Sequence, residues 1–183
     1  MEERILKGAL AVFKKRGMKF TMDDLAVELG MSKKTIYTVF TDKNALLNAL
    51  VDYTFDLIKA KEDAIYSDTS LSTATKLRNI LTALPESYKE FDYNRLHLFA
   101  DKYPEAYLKV QERLESGWDK TREIFEQGVK EGVFRNIDMD VFQLMYESAL
   151  ERMIMEDVLE TKGLSYTVTL NKMVDILIDG ILQ

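Results

Sequence analysis

The sequence has no cysteine, a single histidine and only two prolines in 183 residues. Without cysteine there can be no disulfide and no thiolate metal ligand. With one histidine, a transition-metal site would have to be almost wholly carboxylate, a donor set those ions do not favour. No metal and no other cofactor is expected. No apolar run approaches the roughly 18–20 residues of a membrane span, and Met1-Glu2-Glu3 is not the basic start of a signal peptide. A cytoplasmic protein with no membrane partner is therefore expected. Also missing are a Gly-rich phosphate loop, a nucleophile with a paired base and a metal-spaced cluster, so the chain does not read as an enzyme. There is no sequence repeat, low-complexity segment or strand pairing.

What is present is a helical, soluble composition, 46% hydrophobic and 31% charged, long enough for one or two small domains. The net charge of −6, taken alone, argues against nucleic acid. Its distribution reverses that. Residues 1–47 carry nine Lys or Arg against six Asp or Glu, a balance of +3, and the remainder carries −9. A basic head on an acidic body suits a protein that meets DNA at one end.

The stretch 21–43 organises the rest. Thr21 and Asp24 have the spacing of a capping box, and Leu25, Ala26 and Leu29 form an apolar stripe that Gly30 ends in a left-handed turn. Ser32 caps a second short helix over about 33–40, with Ile36 and Phe40 on one side and Lys33, Lys34, Thr35 and Thr38 on the others. Two short helices joined by a tight turn are a helix-turn-helix, whose second helix enters the DNA major groove. Before it, a helix over about 2–16 points Leu6, Ala9, Leu10 and Phe13 inward and ends on Lys14-Lys15-Arg16, cations that suit its last turn.

The run Met31-Ser32-Lys33-Lys34-Thr35-Ile36-Tyr37, followed by Phe40, Lys43 and Leu46-Leu47, resembles the DNA-binding signature of the TetR family of bacterial repressors. Ile5 to Phe13, closed by Gly17, resembles that family's first helix, so the likeness covers about the first 50 residues. The sequence departs at Val39, where the family usually places His or Tyr to hold a phosphate, and at Gly8, where Ala is commoner. The resemblance implies an all-α fold: a helix-turn-helix head, residues 1–47, joined by a long helix to an effector-binding and dimerisation body, residues 48–183. It implies a ligand-responsive regulator, a repressor acting as a homodimer on a palindromic operator in double-stranded DNA. The rival is a helical small-molecule or lipid carrier whose head has lost DNA binding, which Val39 alone supports.

For DNA contact the candidates are Thr21, Lys33, Lys34, Thr35, Tyr37, Thr38 and Lys43. Lys33 and Thr38 are placed to meet base edges and Lys34 to meet bases or phosphate. Thr35 and Tyr37 resemble family residues that touch backbone or thymine methyl. Thr21 and Lys43 sit at helix starts, where N–H groups favour phosphate.

In the body, a helix over about 43–63 leads from the head. Leu77, Ile80, Leu81 and Leu84 fall at helical spacing until Pro85 interrupts. A short helix near 93–102, a long one over about 104–131 opened by Pro104, another from Asp138 or Asp140 to about 160, and a last over about 167–182 complete the expectation. Leu81, Tyr88, Phe99, Tyr107, Trp118 and Tyr146 are candidates to line a pocket for a small, mostly apolar effector, because rings with polar edges suit such a site. Met145, Ala149 and Met153, with Leu170, Val174, Leu177 and Ile181, are candidates for a dimer interface of two helices from each subunit.

Overall fold

The computed structural model describes residues 1–85, 100 and 102–183, and every regular element among them is a helix. Most of the short helix expected near 93–102, including Phe99, and the pocket candidate Tyr88 lie outside the described residues. α1 (Glu2–Arg16) starts on two glutamates and finishes on Lys14, Lys15 and Arg16, each charge suited to its end of the dipole. α2 (Met22–Leu29) and α3 (Lys33–Tyr37) follow, and α4 (Lys43–Ser67) leaves the head. With 25 residues α4 is about 37 Å long at 1.5 Å per residue, one turn longer than expected. The body continues with α5 (Thr73–Leu81), α6 (Pro104–Leu114), α7 (Asp119–Lys130), α8 (Met139–Met155), α9 (Val158–Lys162) and α10 (Tyr166–Ile181). No described helix is long and apolar enough to cross a membrane.

Two expected helices are each divided. The 104–131 helix breaks at Ser116-Gly117-Trp118, where Gly117 has φ of 78°. That positive φ favours glycine, and a Cβ there would also push on the flexible end of Lys59, 2.8 Å away. The helix expected to reach 160 stops at Met155, because Glu156 is extended (φ −113°, ψ 165°), and α9 is a separate turn. The recognition helix also closes at Tyr37 rather than at 40.

One contiguous core runs from α1 through α4 into the body, and Leu46, Leu47, Leu50 and Val51 bury the head-proximal half of α4. Polar links also tie α4 to α6: Lys109 to Asp52 and Arg113 to Asp56, both 2.6 Å, and Asn44 to Glu105, 2.6 Å. Phe125 and Phe134 stack with centroids 5.9 Å apart beneath Gly128. The chain end is tied in by Arg135 N–H donating to the Ile181 carbonyl at 2.8 Å and Gln183 N–H to that of Val133 at 3.1 Å.

Candidate DNA-binding head and body cavity

The head's geometry begins with its caps. Thr21 Oγ1 accepts from the Asp24 N–H at 3.1 Å, and the Thr21 N–H donates to Asp24 Oδ2 at 2.8 Å, a complete capping box. The Thr21 N–H and then the Thr21 hydroxyl, which donates to Asp24 Oδ2 at 2.9 Å, hold the Asp24 carboxyl below its ordinary pKa. Gly30 takes the left-handed conformation (φ 59°, ψ 36°) that turns the chain, and Ser32 accepts from the Thr35 N–H at 3.1 Å to start α3. Ile36, 0% exposed, pins the inner side of α3.

That leaves Lys33, Lys34, Tyr37 and Thr38 exposed together on the outer side, with Thr21 exposed nearby at the start of α2. Lys33 Nζ lies 2.9 Å from Asp23 Oδ2, and this hydrogen bond raises the lysine's pKa. Thr35 shares a 2.8 Å hydrogen bond with Ser32, and Thr38 Oγ1 donates to the Thr35 carbonyl at 2.7 Å, so in the free protein both hydroxyls are turned to their own helix. Within the basic run closing α1, Lys15 pairs with Glu28 at 2.8 Å and Arg16 with Asp24 at 2.7 Å, which makes these two cations ties between α1 and α2.

Lys43 stands apart from the other candidates. Its ammonium donates to the Phe20 carbonyl and lies 3.9 Å from the Phe20 ring centroid and 5.4 Å from that of Tyr103. Burial, reinforced by Lys102, lowers its pKa to about 8. The side chain expected to reach out to a phosphate is folded inward between head and body, where a cation–π contact holds it. Val39 is half-buried and packs against the core.

In the body, a cavity of about 90 Å³ lies between α4, the end of α5, the α6–α7 turn, α8 and α10. Of the expected lining residues, Leu81, Trp118 and Tyr146 are there, whereas Tyr107 is half-buried elsewhere on α6. Trp118 meets Tyr146 edge-to-face at 5.5 Å, and the Tyr146 hydroxyl donates to the Leu81 carbonyl at 2.6 Å. Burial raises the Tyr146 phenol well above its usual pKa, so it remains a donor. Sequence reasoning misses the polar part of the lining: Lys59, Glu62, Arg113 and Thr121. The sequence does carry a signal for part of it, since Phe55, Ile58, Lys59 and Glu62 share one face of α4 at i, i+3, i+4 and i+7.

Among the dimer candidates, Met153, Leu170, Val174 and Ile181 are buried within the chain. Leu177 and Ala149 are half-buried, and Met145 is exposed. The apolar side chains that do face outward are Val141, Leu144 and Met145 on α8 and Val168 and Ile176 on α10. The stripe legible in the sequence of α10 is the one that packs inward. The side carrying Val168 and Ile176 is the exposed one.

The described residues thus form a capped helix-turn-helix head that leads through α4 into a helical body. Residues 5–50 match the family model described as bacterial regulatory proteins, tetR family. Over 181 residues, 99% of this chain and 95% of the relative, the sequence is 27% identical to the uncharacterized HTH-type transcriptional regulator YvaF of Bacillus subtilis (strain 168). The fold is similar to that of a TetR transcription regulator from Haloarcula marismortui ATCC 43049, with a TM-score of 0.72, 17% identity and coverage of 100% and 98% of the two chains. It is also similar to the transcriptional regulator FadR from Bacillus subtilis in complex with stearoyl-CoA, with a TM-score of 0.64, 17% identity and coverage of 99% and 100%. Residues 5–50 are thus similar to the DNA-binding segment of the tetR family, and the whole chain to an HTH-type transcriptional regulator.

Proposed function

We propose that the protein is a ligand-responsive repressor that binds a palindromic operator as a homodimer. The carrying observation is that the helix forming one wall of the body cavity, α4, is also the helix that bears the head. A ligand that prefers one setting of α4 shifts the population of head positions by its difference in affinity for the two settings. The similar fold of FadR, solved in complex with stearoyl-CoA, supports ligand binding by a chain of this fold. The effector is a small, mostly apolar molecule, in keeping with the rings of Phe55, Trp118 and Tyr146 around the cavity.

In this reading residues 1–47 are the DNA unit and 48–183 the effector and dimer unit, with α4 shared. Lys33 and Thr38 read base edges, and Lys34 reaches bases or phosphate. Thr35 and Tyr37 meet backbone or thymine methyl, and Thr21 presents the start of α2 to a phosphate. Lys43 contributes by holding Phe20, the residue before Thr21, rather than by reaching out. The exposed apolar faces of α8 and α10 pair across a two-fold axis, which sets two heads for two operator half-sites. Sedimentation equilibrium at micromolar concentration tests the assembly. The wild type is expected to be a dimer, and Leu144→Glu with Ile176→Glu a folded monomer that protects no symmetric site in a footprint. A monomeric wild type would overturn the reading.

A further inference from the structure

The first turn of α2 carries two aspartates with different tasks. Asp24 is taken up by the Thr21 cap and by Arg16, 2.7 Å away. Asp23 instead reaches across to the first residue of α3, where its Oδ2 accepts from Lys33 Nζ at 2.9 Å. Both side chains face solvent, 71% exposed for Asp23 and 44% for Lys33. An ion pair this exposed adds little to folding stability. What it changes is the lysine, which stands with Lys34, Tyr37 and Thr38 on the outer side of the head.

Without a partner, Lys33 would be a mobile point charge on a four-carbon stem, open to any phosphate within reach. Held by Asp23, the ammonium keeps two of its three N–H donors and stays at the start of α3. The adjacent carboxylate repels a phosphate that approaches the same ammonium, and it offsets the charge that would release counterions from DNA. A guanine edge is uncharged and presents the O6 and N7 acceptors, so it takes the two remaining N–H groups without that repulsion. The carboxylate therefore penalises the contact that carries no sequence information more than the contact that carries it. Specificity is a difference between two such affinities, and a built-in penalty on the wrong contact raises it.

We propose that Asp23 is a specificity-determining residue of the head, holding Lys33 for base edges and away from phosphate. This rests on the reading of α3 as the recognition helix. Asp23→Asn and Asp23→Ala, each shown to be folded by a thermal melt, are titrated by anisotropy against two duplexes at several salt concentrations. One is a genomic fragment that the wild type enriches, and the other is random. In both variants random duplex should bind more tightly, with a salt slope steeper by about one per head. Preference for the enriched fragment should fall by roughly fivefold or more. Agreement between the two variants rules out a new base contact made by the asparagine. In a Lys33→Ala background, Asp23→Asn should tighten both duplexes alike and leave the preference unaltered, because only the repulsion of the carboxylate is lost. An unchanged slope and preference, or the same fall in preference with and without Lys33, would overturn the proposal while leaving the head as a DNA reader. A wild type that prefers no fragment over random duplex would overturn both.

Discussion

Gly128 lies in the last turn of α7, where helix propensity alone says that alanine should be better by up to about 1 kcal/mol. The structure reverses the sign. A Cβ built at Gly128 would fall 2.1 Å from Cδ2 and 2.3 Å from Cε2 of Phe134. That ring is 0% exposed and stacked on Phe125 with an interplanar angle of 6°, so it cannot swing aside as an exposed side chain would. Relief requires the ring or α7 to move by about 1 Å, and overpacking of this kind costs typically about 1–3 kcal/mol, occasionally more. Gly128→Ala should therefore destabilise the protein by about 1–2 kcal/mol net, lowering Tm by about 3–6 °C for a chain of this size. Calorimetry or a denaturant titration at fixed protein concentration measures it, since an oligomer's Tm depends on concentration. The double-mutant cycle with Phe134→Leu isolates the cause: in the leucine background the alanine should cost much less or stabilise. A higher Tm for Gly128→Ala alone, or the same destabilisation in both backgrounds, would refute the reasoning.

Removing the α2 cap by Thr21→Ala should cost about 1 kcal/mol and weaken DNA binding further than that destabilisation explains, read by denaturation and DNA titration on the same sample. Lys33→Ala should penalise the operator over random duplex by roughly 1–3 kcal/mol if its base contact is bidentate. Lys34→Ala, where the lysine meets phosphate alone, should instead lower the salt slope by about one per head. An equal drop in operator preference for both variants would remove the distinction. For Lys43, a folded-state pKa of about 8 against an ordinary 10.5 means that the unfolded chain binds more protons between those values. Its contribution to stability should thus rise with pH through that window, so the stability difference between wild type and Lys43→Met should move in the wild type's favour from about pH 8 to about pH 10. A difference flat with pH would count against the buried setting.

The parts of the head legible in the sequence are those decided within a few residues. Thr21 with Asp24, Gly30, and Ser32 with Thr35 are caps and turns whose chemistry is local, the paired residues lying three positions apart. Ile36 is legible because a short helix with one large apolar residue has one way to lie. The inward setting of Lys43 is not legible, because a helix-start position is local whereas its aromatic partner Tyr103 is sixty residues away and its packing belongs to the head–body junction. The α10 stripe shows the same limit: periodicity finds an apolar face at Leu170, Val174 and Ile181 but does not say whether its own subunit or a second one covers it. The break at Gly117 is hidden because the surrounding residues suit helix on both sides. Only the folded chain shows the positive φ at Gly117 that favours glycine there. The cavity's cations cannot be assigned from sequence because Lys59 and Arg113 are 54 positions apart and meet only when α4 and α6 lie side by side.

The most direct measurement of the central claim is binding of the full chain to a pool of genomic fragments from its source, followed by anisotropy titration of the enriched fragments and of random duplex at several salt concentrations. The account predicts enrichment of fragments with a two-fold-symmetric element, affinity that falls steeply with salt, and release when the cavity's ligand is added. Equal affinity for enriched and random DNA, or no salt-sensitive binding at all, would contradict it.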